Sequence, residues 1–118
     1  MLYFFKRLKH RIIWSWQGTL ETWRSEHSFR SWVWANLISA GLAFWLPLLA
    51  SERALILALG ILVLASELMN TAIENAVDYI SEDQHPLAKK AKDAGSAAVA
   101  VTAIAAGVAW VVILLGFI

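Results

Sequence analysis

Cysteine is missing from the 118 residues, which excludes a disulfide scaffold, thiolate chemistry and an iron–sulfur site. Proline is nearly missing: Pro47 and Pro86 are the only two. No Pro/Gly linker, repeat or low-complexity tract divides the chain, so a single domain over 1–118 is expected. Charge is scarce and uneven, and Ala94 to Ile118 carries none. A net charge of +1 gives no argument for a nucleic-acid partner, and none is expected. The first 30 residues are interrupted by charges and lack an apolar run of the kind a cleavable signal peptide needs, so no cleaved leader is expected. Neither GxxxxGK[ST] nor GxGxxG occurs, so any nucleotide must bind without a familiar phosphate loop.

What is abundant is apolar: 59% of the residues are hydrophobic. Three stretches stand out, at 32–50, 54–80 and 94–118. A spanning helix needs about 20 mostly apolar residues. The first and third meet that length, and the second does so only if its polar second half belongs to the span. The expected fold class is an all-α membrane protein with three transmembrane helices. Residues 1–30 differ in kind. Phe5, Leu8, Ile12, Trp16, Leu20 and Trp23 recur three and four apart, while Lys6, Lys9, His10 and Arg24 fall largely elsewhere on the wheel. That pattern describes an amphipathic surface helix lying in the headgroup layer.

Basic residues divide between alternate connections. Lys6, Arg7, Lys9, Arg11, Arg24 and Arg30 precede the first span, and Lys89, Lys90 and Lys92 follow the second, whereas Arg53 stands alone between spans one and two. The positive-inside rule then puts the N-terminus in the cytoplasm and the C-terminus outside. Most of the seven tryptophans cluster near the cytoplasmic interface, with Trp45 and Trp110 toward the far side, as two aromatic belts would. Pro86 suits the first turn of a helix, with His85 or a neighbour as its cap. Gly95, Ala98, Ala103 and Gly107 offer small surfaces for close helix packing.

The second stretch carries Glu67, Asn70, Glu74 and Asp78 at spacings of three, four and four, which align on one helix face. At a rise of about 1.5 Å per residue from Arg53, Glu67 lies roughly 20 Å in. Glu74 lies about 30 Å in, the thickness of the hydrocarbon core. A carboxylate at the depth of Glu67 costs at least ~2.5 kcal/mol. A hydrogen-bonded seam between subunits and an ion-conducting surface both fit this stripe. Lys89, Lys92, Asp93 and Ser96 form a second face at the same level. Carboxylates and phosphate oxygens together make the usual Mg²⁺ environment, and Glu26 is a further carboxylate there. A metal–phosphate site above a buried carboxylate points to phosphoryl transfer onto a lipid hydroxyl, which needs positioning, charge neutralisation and a proton acceptor.

ELMNTAIENAVD followed by HPLAKKAKDAGSAAV, with SWQGTLETWRSEHSFR upstream, closely resembles the small integral-membrane bacterial diacylglycerol kinase family. The resemblance covers nearly the whole chain. It implies a homotrimeric bundle in the bacterial inner membrane, with active sites shared between subunits, transferring the γ-phosphate of MgATP to diacylglycerol. It implies Glu67 as proton acceptor, Asn70 and Lys92 as further catalytic residues, and Glu26 and Glu74 as metal ligands. Arg7, Trp14, Asp83, Gln84, His85, Lys92 and Asp93 match nucleotide positions, as do the two metal ligands. Trp16, Trp23, Arg30, Glu67, Ser96 and Trp110 match lipid-substrate positions. Asp78 belongs to the family's stripe, with a structural role equally open. Trp32 stands where the family has Glu, Trp14 where it has Tyr, and Asp83-Gln84 where it has Glu-Tyr. NTAIENAVD and HPLAKKAKD look more like the undecaprenol kinase branch. DAGSAAV and the aromatic N-terminal segment look more like diacylglycerol kinase. A small membrane channel or assembly protein on the same scaffold is the reading from another class.

Overall fold

Each break between helices has a local cause. Glu26 takes an extended backbone (φ −111°, ψ 110°) and is at once the last cap of one helix and the first cap of the next. Pro47 disfavours helical geometry in the residue before it, and the helix ends at Trp45. Ser81 is extended, and a new helix opens on Pro86, whose missing N–H is an unpaired position anyway. The computed structural model describes residues 1–118 as four helices without a strand: α1 (Leu2–Ser25), α2 (His27–Trp45), α3 (Ala50–Ile80) and α4 (Pro86–Leu115).

These limits correct several expected boundaries. The surface helix stops at Ser25 rather than residue 30, because the chain turns at Glu26. The 32–50 stretch is helical only to Trp45, because of Pro47. The second long helix starts at Ala50 rather than 54, where Glu52 Oε1 accepts a hydrogen bond from the Leu49 N–H at 2.8 Å. The third apolar stretch, from 94, is the later part of a helix that begins at Pro86 as the sequence placed it, with His85 Nδ1 accepting from the Leu87 N–H at 3.1 Å as its cap. By length and composition α3 and α4 are each able to cross a membrane. Helix α2 is 19 residues long and carries His27, Arg30 and Asn36. Its apolar run continues through Leu46–Leu49, which are not helical.

Helix α3 lies between α2 and α4, and α1 touches only α2 and α3. The result is a slab, 52 × 45 × 23 Å. Its buried face on α3 is Ile56, Gly60, Val63, Glu67 and Thr71, the helical spacing of four and three. At the Arg53 end, Ala43, Leu48, Ile56 and Ile113 form a small apolar cluster. Helix α2 has no basic residue in its last turn, so Arg53 supplies the charge from α3. Its Nε donates to Ala43 O at 2.8 Å and its Nη2 to Leu46 O at 3.4 Å, with the guanidinium 5.3 Å from the Phe44 ring centre. Only 13 of 118 residues are buried, and Leu37, Ile38, Leu62, Ile104 and Val111 all face outward. A slab this apolar must be covered by lipid tails or further protein.

Candidate functional site

Helices α1, α2 and α3 meet beside Glu67. The elbow between α1 and α2 is held by Arg30, whose Nη1 donates to Trp23 O at 2.7 Å and Arg24 O at 3.1 Å. These are carbonyls at the C-terminal end of α1, where a cation is favoured. The elbow puts Glu26 at the N-terminus of α2, where a carboxylate is favoured, and Ser28 two residues further on. Ser28 Oγ donates to Glu67 Oε2 at 3.4 Å. Glu67 is 5% exposed, and both Glu26 and Glu74 lie within electrostatic range of it.

The rest of the stripe faces α4. Asn70 Nδ2 donates to Glu74 Oε1 at 3.2 Å. Asp78 Oδ1 accepts from Lys92 Nζ at 2.6 Å across the helix pair, and Asp93 Oδ2 accepts from Lys89 Nζ at 2.5 Å within α4. Residues four apart on a helix align while neighbours diverge by about 100°, so Asp93 meets Lys89 and Lys92 is left to reach across to Asp78. Both lysines lie in the first turns of α4, ahead of its charge-free stretch. Their hydrogen bonds to Asp93 and Asp78 hold the ammonium groups above the ordinary lysine value of 10.5.

Beyond Asp78 the chain opens into a cavity of about 690 Å³, lined by Asp78, Asp83, Gln84, His85, Lys92 and Asp93 among others. Five residues expected to touch nucleotide thus meet on one wall: Asp83, Gln84, His85, Lys92 and Asp93. Four others do not join them: Glu26 at the α1–α2 elbow and Glu74 on α3 lie outside the lining, as do Arg7 and Trp14. Arg7 lies on α1, against Tyr3 (Nη1 to Oη 3.4 Å), and Trp14 stacks on His10 at 5.6 Å between ring centres. Helix α1 has no packing contact with α4.

The residues expected at the lipid scatter. Trp16 borders a shallow groove on α1 with Arg11, Ile12, Ser15 and Thr19. Trp23 lends its carbonyl to Arg30, which is itself committed to the elbow. Ser96 is exposed on α4. Trp110 is at the Arg53 end, where its Nε1 donates to Ser39 Oγ at 2.8 Å beside the Ala43–Ile113 cluster. It is some 40 residues along the fold from Glu67, and at about 1.5 Å per residue the 15 residues from Gly95 to Trp110 place it roughly 22 Å from the Asn70 level.

No three ligating side chains converge on one point within the chain, so a divalent cation held by Glu26 and Glu74 would take its remaining oxygens from water or phosphate. Mg²⁺ is usually bound that way, and paired carboxylates are the donor type it takes, although Glu26 and Glu74 lie outside the lining of the lysine-bearing cavity.

The chain's residues 13–114 match the family model described as prokaryotic diacylglycerol kinase. The chain belongs to this family. As a member of the prokaryotic diacylglycerol kinase family it is similar to the diacylglycerol kinase of Pseudomonas aeruginosa, with 43% identity over 111 residues, covering 94% of this chain and 90% of the relative. The diacylglycerol kinase of Escherichia coli K12 is 37% identical over 110 residues, covering 93% and 90%. That of Helicobacter pylori strain 26695 is 40% identical over 94 residues, covering 80% and 73%.

One contributor to this kinase-family site was not singled out from the sequence, and another was given a different role. Ser28 is the side-chain donor to Glu67, and its signal was only its place in SWQGTLETWRSEHSFR, two residues after Glu26. Arg30 was expected at the lipid, but its hydrogen bonds go to backbone carbonyls of α1.

Proposed function

We propose that this chain is a lipid kinase that transfers the γ-phosphate of MgATP to diacylglycerol, giving phosphatidic acid and ADP. The observation that carries the reading is Glu67: a carboxylate 5% exposed, on a helix able to cross a membrane, two helical turns from Glu74. The name shared by the relatives supports diacylglycerol as the acceptor.

In this mechanism the nucleotide lies in the cavity between the end of α3 and the start of α4. Lys92 exchanges its contact with Asp78 for phosphate oxygens, and His85, Asp83 and Gln84 border the nucleoside. Glu26 and Glu74 hold Mg²⁺, which neutralises phosphate charge when bound. The diacylglycerol hydroxyl arrives at the depth of Glu67, too deep for the nucleoside, and the triphosphate extends inward past Glu74 to meet it. Its oxygen attacks the γ-phosphorus, the bond to the β-phosphate oxygen breaks, and Glu67 takes the hydroxyl proton. Asn70 orients Glu74.

The working unit is a homotrimer with shared sites. The small buried fraction supports this, and so does the separation of Arg7 and Trp14 from the cavity of their own chain: a neighbour's α1 brings them to it. The protein sits in the bacterial inner membrane with α1 and the 81–85 loop at the cytoplasmic face and the C-terminus in the periplasm. Nine basic residues on the one side against Arg53 on the other support that orientation.

The test is purified protein in mixed micelles with γ-labelled ATP and Mg²⁺, offered diacylglycerol, polyprenol or no lipid. Label is expected in phosphatidic acid, dependent on both Mg²⁺ and diacylglycerol. Label appearing only in polyprenol, or in no lipid at all, would overturn the proposal.

A further inference from the structure

Two asparagines press their amides onto glycines across helix interfaces. Asn36 of α2 does so at Gly60 of α3, and Asn70 of α3 at Gly95 of α4. The second pair lies in the site. A Cβ on Gly95 would overlap Asn70 Oδ1 and meet its Cγ at 3.4 Å. Asn70 Oδ1 is fully buried and accepts no hydrogen bond, while its Nδ2 donates to Glu74 Oε1 at 3.2 Å. No other side chain of this protein donates to Glu74.

A buried acceptor without a donor is rare enough to need a reason. An amide turned end for end keeps its shape but exchanges donor and acceptor. Turned over here, Oδ1 would face the Glu74 carboxylate, and the NH₂ would lie against Gly95 with nothing to accept from it. The observed orientation sacrifices one acceptor to give Glu74 a donor. It requires that α4 present no side chain at residue 95.

We propose that Gly95 is a positioning residue for Glu74. By leaving room on α4 it seats the Asn70 amide so that its N–H is turned onto the carboxylate and holds it in one place. The role goes beyond close helix packing, which would need only a small residue, and it rests on the reading of Glu74 as a metal ligand. Outer partners that orient ligating carboxylates typically change metal affinity 10–100-fold when lost.

Mn²⁺ is the probe, titrated by electron paramagnetic resonance into detergent-purified protein saturated with a non-hydrolysable ATP analogue. Gly95→Ala is expected to weaken Mn²⁺ binding about 10–100-fold, and Asn70→Ala by a similar factor. The double variant Asn70→Ala/Gly95→Ala should bind no more weakly than Asn70→Ala, since no amide remains to be displaced. It should also recover whatever melting temperature Gly95→Ala loses, because alanine at 70 removes the overlap, so a poorly folding single variant leaves the test intact. Wild-type Mn²⁺ affinity in Gly95→Ala, or losses that multiply in the double variant, would overturn the proposal while leaving the kinase reading standing. A wild-type protein that binds no Mn²⁺ while Glu74→Gln behaves identically would overturn the metal reading and this proposal with it.

Discussion

Replacing Glu67 with glutamine separates chemistry from binding. The side chain is 5% exposed; Ser28 Oγ donates to it at 3.4 Å, and the Trp32 side chain is a second donor beside it. Glutamine has nearly the same volume, and its amide oxygen still accepts from Ser28, so no cavity follows. Removing a charge from an apolar helix relieves a burden rather than adding one, so melting in detergent should be unchanged or higher. Glu67 does not line the cavity assigned to the nucleoside and is not assigned to the metal, so MgATP affinity should hold. What is lost is the proton acceptor, and a general base is worth about 10²–10⁴ in rate. Single-turnover transfer from labelled ATP to diacylglycerol should therefore fall by that order, with nucleotide affinity read in parallel by calorimetry. A Glu67→Gln protein that binds MgATP poorly yet transfers phosphate at the wild-type rate once saturated would refute the base assignment and move Glu67 to the metal site.

Other consequences are equally specific. Arg30→Ala removes both hydrogen bonds that hold the α1–α2 elbow, so distances between spin labels on α1 and α2 should broaden; an unchanged distribution would remove the clamp. Gly60→Ala drives a Cβ into the Asn36 amide, and overpacking of that kind costs about 1–3 kcal/mol; melting should fall, and Asn36→Ala should restore it. Glu26→Gln and Glu74→Gln should each be inactive, but subunits of the two mixed before assembly should regain part of the activity through sites that draw both intact carboxylates together. No recovery in verified mixed oligomers would argue that each site is built from one chain.

Much was legible locally. Four helices follow from runs whose periodicity and apolar length leave little else, and Pro47, Pro86 and His85 mark breaks because proline acts on its immediate neighbours. The alignment of Glu67, Asn70, Glu74 and Asp78 follows from helical spacing alone, and the motif family follows from those residues together with Lys92 and Asp93. The exact start of each helix was less legible, because caps such as Glu52 on Leu49 depend on a single side chain rather than on period.

What periodicity cannot carry is the choice of partner across helices. A face of a helix is set by angle along its own axis, but which neighbour meets it depends on how whole helices pack. Only the tertiary structure turned Asp78 onto Lys92, brought Ser28 of α2 to Glu67, withdrew Arg30 into the elbow and set the Trp110 indole on Ser39. It also decided that Asn70 meets a glycine on α4. That contact depends on the absence of a side chain 25 residues away, and sequence spacing within one helix holds no record of it.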